Sequence, residues 1–349
     1  MKTIRIGDRL VGDGQPCYVV AEAGVNHNGE LELARKLVAV AVAAKADAVK
    51  FQKRSIPAIL IQEALDAPYV KPNSLGATYG EHRERLELSE EAYRELVELC
   101  HKEGITFLAS AWDPASADFV EELGVPAFKI ASADLTNLPL VEHIARKQRP
   151  IIMSTGMSEM EEVADAVATV RRYHDDFVLL HCTSAYPSEY VDLNLRAMET
   201  LRREFGCLVG YSGHERGLAT TEAVVALGAC LVERHFTLDR TLPGPDHAAS
   251  LEPRGLELLV RDIRHVEAAL GSPLKRLLPS EVPVRQRLAK SVVAARHIPA
   301  GRAISEDDLA VKGPGTGISP RHLKRLIGVV ARRDIPADTL IPPEALEWR

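Results

Sequence analysis

The amino-acid sequence predicts a (β/α)8 TIM barrel followed by a small β-rich domain. Three observations carry this prediction. A short apolar, β-branched run ending in polar residues and followed by a helical stretch recurs eight times. Several of the runs, such as IIM at 151–153 and FVLL at 177–180, are continuously apolar, as parallel strands buried on both faces require. The alternation stops near Gly271, ahead of a segment that repeats itself.

The strands are expected at Tyr18–Glu22, Ala48–Gln52, Thr106–Ser110, Ala127–Ile130, Pro150–Ser154, Phe177–His181, Leu208–Tyr211 and Leu231–His235. Between them, Glu30–Lys45 shows apolar residues at helical spacing. Ser89 is placed to cap a helix that has acids in its first turn and Gly104 at its end. Ser158 to Glu161 reads as a capping box opening a helix that runs to Tyr173. Gly217–Leu227 and Pro253–Leu270 complete the helices. A doubly wound open sheet is the competing fold; it normally carries a glycine-rich phosphate loop after an early strand, and no G-x-G-x-x-G occurs there. The connection from Ser55 to Glu87 is long and rich in Pro, Gly and Asn. It leaves the carboxyl end of the second strand and is expected to cover the barrel mouth.

The barrel is assigned to residues 1–280 and the small domain to 281–349, with a Pro-rich linker at 271–285. Within the small domain, Val292–Ala300 (VVAARHIPA) matches Val329–Ala337 (VVARRDIPA), Ile304 matches Ile341, and Leu309 matches Leu346. Two related halves with short strands are expected. So short a domain is marginal alone and is expected to dock on a barrel, its own or a partner's.

The 349 residues are 46% hydrophobic and 26% charged, with a formal net charge of −6 and no long run of like charge. This balance argues against nucleic acid or an anionic membrane as partner. The five cysteines form no CxxC pair, so reduced buried thiols in a cytoplasmic protein are expected. The amino terminus lacks the apolar stretch of a signal peptide.

Barrel enzymes build their sites from side chains at the carboxyl ends of the strands. In strand order those ends offer Glu22, Asn26 and His27; Lys50 and Gln52; Ser110; Lys129, Ser132 and Asp134; Ser154 and Thr155; His181, Thr183, Ser184 and Tyr186; Tyr211, Ser212 and His214; Glu233 and His235, then Asp246 and His247. Lys50 and Lys129 are cations in apolar strands, and a buried lysine needs an anion. A lysine can satisfy that need with a neighbouring glutamate. Two lysines among Ser110, Ser132, Ser154, Ser184 and Ser212 favour a phosphate or carboxylate ligand instead. His214 and His235 end consecutive strands, a pairing that suits Mn²⁺, Zn²⁺ or Fe²⁺, or equally two hydrogen-bonded histidines without metal. Glu22 is a candidate general acid–base, or the ion-pair partner of Lys50.

Nine motifs in order then carry a resemblance: AEAGVNHNG (21–29), KFQK (50–53), TYGEHRERLE (78–87), FKIASAD (128–134), STGM (154–157), HCTSAYP (181–187), GYSGHE (210–215), ERHFTLD (233–239) and DHAASLEP (246–253). The chain resembles the sialic-acid synthases, which condense phosphoenolpyruvate with an N-acetylmannosamine-type sugar. The last segment, with KSVVA (290–294) and IPAG (298–301), resembles the antifreeze-like (SAF) domain of that family. The resemblance implies that Lys50, Ser110, Lys129, Ser132, Ser154, Ser184 and Ser212 hold phosphoenolpyruvate. It implies that Gln52, Asp134, Tyr186 and Asp246 meet the sugar, and that Glu22 is the acid–base residue. His214 and His235 would bind a divalent metal, Mn²⁺ before Mg²⁺ or Co²⁺, in a domain-swapped homodimer. Gly313 stands where many bacterial members place an arginine that reaches the sugar in the partner subunit; together with the long loop carrying TYGEHRERLE, this makes the chain look closer to animal-type members, some of which use the sugar 6-phosphate. Arg83, Arg85 and Lys312 are the cations available to meet such a phosphate. Competing readings are a legionaminate-type synthase acting on a diacetamido sugar, a Schiff-base aldolase using Lys50 or Lys129, and a non-catalytic binding protein.

Overall fold

The computed structural model describes residues 1–71 and 74–347. They divide into two compact units, Met1–Gly271 and Ser272–Arg349.

The first unit opens with a hairpin absent from the predicted elements, β1 (Thr3–Ile6) and β2 (Arg9–Gly12), paired antiparallel. Eight parallel strands follow: β3 (Tyr18–Gly24), β4 (Ala48–Lys53), β5 (Thr106–Ala111), β6 (Phe128–Ile130), β7 (Ile151–Ser154), β8 (Phe177–Cys182), β9 (Leu208–Gly213) and β10 (Leu231–His235). They pair in sequence order, and β10 returns to β3 to close the barrel. The predicted eight strands are all present. Some bounds shift: β3, β4, β5, β8 and β9 run one or two residues further, while β7 starts at Ile151 because Pro150 has no N–H to give the ladder.

Alternation along the strands sorts the barrel residues into two sets. Val19, Val49, Phe107, Ile151, Leu179 and Val232 pack outward against the helices. Val20, Ala48, Leu108, Ala127, Ile152, Leu180 and Leu231 point inward and cluster with Ile4, Ile6 and Val11 of the hairpin. The hairpin therefore plugs the amino-terminal end of the barrel. It turns back tightly enough that a Cβ on Gly12, at φ +140°, would lie 2.4 Å from the Lys2 carbonyl oxygen.

Local signals set the helices. Ser89 Oγ accepts from the Ala92 amide at 3.2 Å, and the helix Glu90–Glu103 ends at Gly104 in the left-handed conformation. Each such cap contributes about 1 kcal/mol. The capping box expected at Ser158–Glu161 is displaced by one residue. Ser158 Oγ is spent on the Gly156 carbonyl, so the helix runs Met160–Arg171 and its reciprocal cap joins Glu159 to Glu162. Among the described residues, the connection between β4 and the Glu90 helix holds three short helices, Ile56–Ile59, Gln62–Asp66 and Tyr79–Glu84. All five cysteines are buried and unpaired. No helix among the described residues is long and apolar enough to cross a membrane.

In the second unit the internal repeat becomes a pseudo-twofold. Strand β11 (Ser291–Ala294) pairs with β12 (Leu309–Lys312), and β13 (Val330–Ala331) pairs with β14 (Leu346–Glu347). Val293 pairs with Ala310 in the first half as Val330 pairs with Glu347 in the second. The bridges Val293–Leu340 and Ala303–Val330 exchange under the same symmetry, and Ile298 bridges its own counterpart Ile335. Val292, Ile298, Ile304, Ile335, Ile341 and Leu346 form the core.

Candidate active site

The inward parity that supplies the apolar plug supplies the site one step later. Two residues beyond Val20, Ala48, Leu108, Ala127, Ile152 and Leu180 lie Glu22, Lys50, Ser110, Lys129, Ser154 and Cys182; beyond Leu231 come Glu233 and His235. These side chains line one cavity of about 460 Å³ at the carboxyl ends of the strands. Gln52, Ser132, Ser184, Tyr186, Ser212, His214 and Asp246 line it too. Of the proposed site residues, only Asp134 is outside the lining. It ends the 3-10 turn Ser132–Asp134, one of its oxygens accepts from Asn137, and burial raises its carboxyl to about 6.

The floor is a buried quartet of charges. Lys50 Nζ lies 2.6 Å from Glu22 Oε2 and 3.7 Å from Glu233 Oε1. Lys129 Nζ lies 3.5 Å from Glu233 Oε1 and donates to Ser154 Oγ at 2.8 Å. Gln52 donates to Glu22 at 2.9 Å. Burial, reinforced by the charge on Glu233, raises the Glu22 carboxyl above its ordinary range despite the pull of Lys50. The opposite outcome holds at Glu233, where burial is outweighed by Lys129 and Lys50 and the carboxyl stays low. Burial and the nearby Lys50 charge pull Lys129 down. One carboxylate is thus held ionised between two lysines while the other is poised to carry a proton.

Gly156 completes the floor. Its amide donates to Ser132 Oγ at 3.1 Å, and a Cβ there would fall 2.2 Å from Ser184 Oγ and 2.9 Å from Ser132 Oγ. Gly156→Ala is expected to displace both serines and lower kcat/KM by about 10²-fold while the melting temperature holds. An unchanged kcat/KM would remove these serines from the site.

The two histidines stand together, ring centroids 5.4 Å apart, with Tyr186 4.1 Å from the His214 ring. His214 Nδ1 donates to the Thr183 carbonyl at 2.9 Å, which leaves Nε2 free to act as a ligand. Burial lowers His235 to about 4, so its imidazole is neutral, and its buried Nδ1 has no hydrogen-bond partner, with Asp246 3.7 Å away. Two neutral-capable imidazoles with an orphaned nitrogen fit a divalent metal. No group of three or more His, Cys, Asp or Glu with metal-ligating placement exists among the described residues. Further coordination positions would therefore fall to water or substrate.

Behind the histidines, parity sends the intervening residues outward. Arg234 Nη1 meets Glu215 Oε1 at 3.0 Å and also donates to Thr221 Oγ1 and the Gly217 carbonyl, while Nη2 donates to the Glu215 carbonyl. This pair ties β10 to the loop that carries His214. Glu215 is held below the ordinary carboxylate range: burial opposes this, but Arg234 and the Thr220 hydroxyl prevail. Its stabilisation is therefore full above that range and lost as pH falls through the depressed value. Glu215→Gln leaves a buried guanidinium without its anion and is expected to cost about 3–5 kcal/mol in urea unfolding near neutral pH, with the difference from wild type shrinking in acid.

Several strand-end candidates face away from the cavity. His181 bonds the Leu193 carbonyl, Tyr211 bonds Glu215, His247 bonds Thr237, Thr155 bonds the Leu180 carbonyl, and Asn26 bonds the Phe236 carbonyl and Ser250. His27 is buried and hydrogen-bonded to the Gly29 amide. Conversely, Arg54, Tyr79, Arg83, Trp112 and Cys182 line the cavity without having been singled out for catalysis. Trp112 and Cys182 were within reach of strand parity, being two residues beyond Ser110 and Leu180. Arg54 follows the same parity, two residues beyond Gln52, while its carboxylate, Glu87 at 2.6 Å from Nε, is 33 positions away.

A closed parallel barrel with this charged cavity at its carboxyl ends defines a barrel enzyme. The chain belongs to the NeuB family, which it matches over residues 37–275, and it carries a SAF domain over residues 289–347. It is 42% identical over 342 residues to the N,N'-diacetyllegionaminic acid synthase of Legionella pneumophila, covering 96% of each chain. It is 42% identical over 341 residues to the human N-acetylneuraminate-9-phosphate synthase, covering 97% of this chain and 95% of that one. Among solved structures, N-acetylneuraminic acid synthetase from Leptospira borgpetersenii, crystallised with citrate, superposes with a TM-score of 0.71 at 32% identity, over 82% of this chain and 97% of that one. The spore coat polysaccharide biosynthesis protein SpsE of Bacillus subtilis matches the full length of both chains with a TM-score of 0.66 at 33% identity.

Proposed function

We propose that this enzyme condenses phosphoenolpyruvate with the open-chain aldehyde of an N-acylated amino sugar of the N-acetylmannosamine type, giving a nine-carbon 2-keto acid and inorganic phosphate. The observation that carries this reading is the pair of buried lysines, Lys50 and Lys129, set among serines at the strand ends. Such a pair recognises a small dianion or trianion bearing both phosphate and carboxylate. Citrate bound to the Leptospira relative is a molecule of that charge class.

In this reaction the methylene carbon of phosphoenolpyruvate forms a bond to the aldehyde carbon. Water adds to the cationic C2 that results, and the C2–O bond to phosphate breaks. Lys50, Lys129, Ser110, Ser132, Ser154, Ser184 and Ser212 hold the phosphate and carboxylate. Glu22, the proton-poised carboxyl, gives its proton to the aldehyde oxygen as the C–C bond forms and then, as a carboxylate, accepts a proton from the attacking water, with Gln52 fixing its orientation. Gln52, Tyr186 and Asp246 border the space left for the sugar. His214 and His235 would hold a divalent metal, which would supply Lewis-acid polarisation of the aldehyde.

The test is phosphate release from phosphoenolpyruvate with Mn²⁺ and a panel of N-acetylmannosamine, its 6-phosphate and diacetamido-trideoxy sugars. Release with at least one acceptor, matched by 2-keto acid formation, is expected. No release with any of them defeats the proposal. The lysines act here as charges, so borohydride should trap no substrate–lysine adduct; a trapped adduct would establish the aldolase reading.

A further inference from the structure

Four cations line the cavity, and three of them have a carboxylate. Lys50 has Glu22, Lys129 has Glu233, and Arg54 has Glu87. Arg83 has none within ion-pair distance among the described residues, and its Nε is buried with no hydrogen-bond partner. The guanidinium is held in place by ring faces instead, 5.6 Å from the Tyr79 centroid and 5.6 Å from the Trp112 centroid. Cation–π contact fixes its plane yet uses up none of its N–H donors. The other two cations suited to a second anion are already engaged: Arg85 is exposed and donates to the Leu75 carbonyl, and Lys312 pairs with Asp338.

A half-buried guanidinium with idle donors is costly in an empty cavity and favourable once an anion arrives. The phosphoenolpyruvate anchors lie on the barrel strands. Arg83 lies on the helix Tyr79–Glu84 of the long connection, so the anion it meets belongs to the other reactant. We propose that Arg83 reads a phosphate monoester on the acceptor sugar, making this a synthase of the phosphorylated keto acid. The inference rests on the condensation proposed above and names its acceptor class. It agrees with the chemistry of the human relative's product: a phosphate on C6 of a six-carbon acceptor becomes the 9-phosphate once three carbons are added at C1.

The experiment compares kcat/KM for N-acetylmannosamine 6-phosphate and N-acetylmannosamine in the full-length wild type, Arg83→Met and Arg83→Lys. One lost charge-assisted contact corresponds to a fall of about 10- to 10²-fold. The wild type is expected to prefer the phosphorylated sugar, Arg83→Met to reduce the preference ratio by that factor, and Arg83→Lys to restore part of it. Melting curves establish that both variants fold. A ratio unchanged in a folded Arg83→Met overturns the inference, as does a wild type that turns over only uncharged acceptors. The second result leaves the condensation standing, whereas no phosphate release with any sugar defeats both.

Discussion

Replacing Lys129 with Met is expected to weaken phosphoenolpyruvate binding by between about 10²-fold and several thousand-fold, the worth of a buried charge contact of about 3–5 kcal/mol at 1.4 kcal/mol per decade. Lys129 is the freer of the two lysines: its carboxylate is 3.5 Å away, while Lys50 sits 2.6 Å from Glu22. Titration calorimetry with phosphoenolpyruvate measures the effect directly, and unchanged affinity would take the anion site away from this floor. The same titration has a second expected signature. Lys50, Lys129, Glu22 and Glu233 sum to no net charge when all are ionised, so an anion entering the quartet favours protonation of Glu22, the carboxyl that burial already raises. Binding should therefore draw in a proton and tighten as pH falls through the raised Glu22 range. Binding enthalpies that do not depend on the ionisation enthalpy of the buffer would refute that coupling.

His235→Ala is expected to carry the other large effect. It removes one of two imidazoles in contact with the same tyrosine and should lower turnover by on the order of 10³-fold or more, the several kcal/mol that polarising a carbonyl supplies. Loss of turnover alone would not separate metal binding from other duties of the ring, so the decisive measurement is Mn²⁺ binding to the free protein by calorimetry or spin resonance. Mn²⁺ affinity should fall in His235→Ala and in His214→Ala, and chelation should abolish turnover in the wild type. Full activity after chelation, or Mn²⁺ affinity indifferent to both substitutions, would leave the pair as hydrogen-bonding histidines.

Most of the barrel was legible in the sequence because its signals are local. Continuous apolar runs mark strands buried on both faces, and Ser89 and Gly104 announce a helix by hydrogen bonds that span three or four residues. The hairpin at Thr3–Gly12 carries no comparable signal, because it adds two strands without a helix, outside the repeating strand–helix unit. Strand ends named the site, but the inward direction could not be assigned until the hairpin supplied the apolar layer that sets parity. His181 and Tyr211 therefore look like site residues from the sequence though they face outward, while Cys182 and Trp112, which face the cavity, do not. Arg83 stood in the sequence as one of three equivalent cations. What separates it is the company of Tyr79 and Trp112 and the engagement of Arg85 and Lys312 elsewhere, which only folding reveals.

The hairpin also has a kinetic meaning. Together with the apolar layer that fills the barrel interior, it makes the cavity a blind well with a single mouth. Under the proposed placement, the reactant anchored by the strands must enter before the one anchored by the covering connection, since the second to arrive obstructs the way down. An ordered sequence, phosphoenolpyruvate first and sugar second, is then a property of the plug rather than of any catalytic side chain.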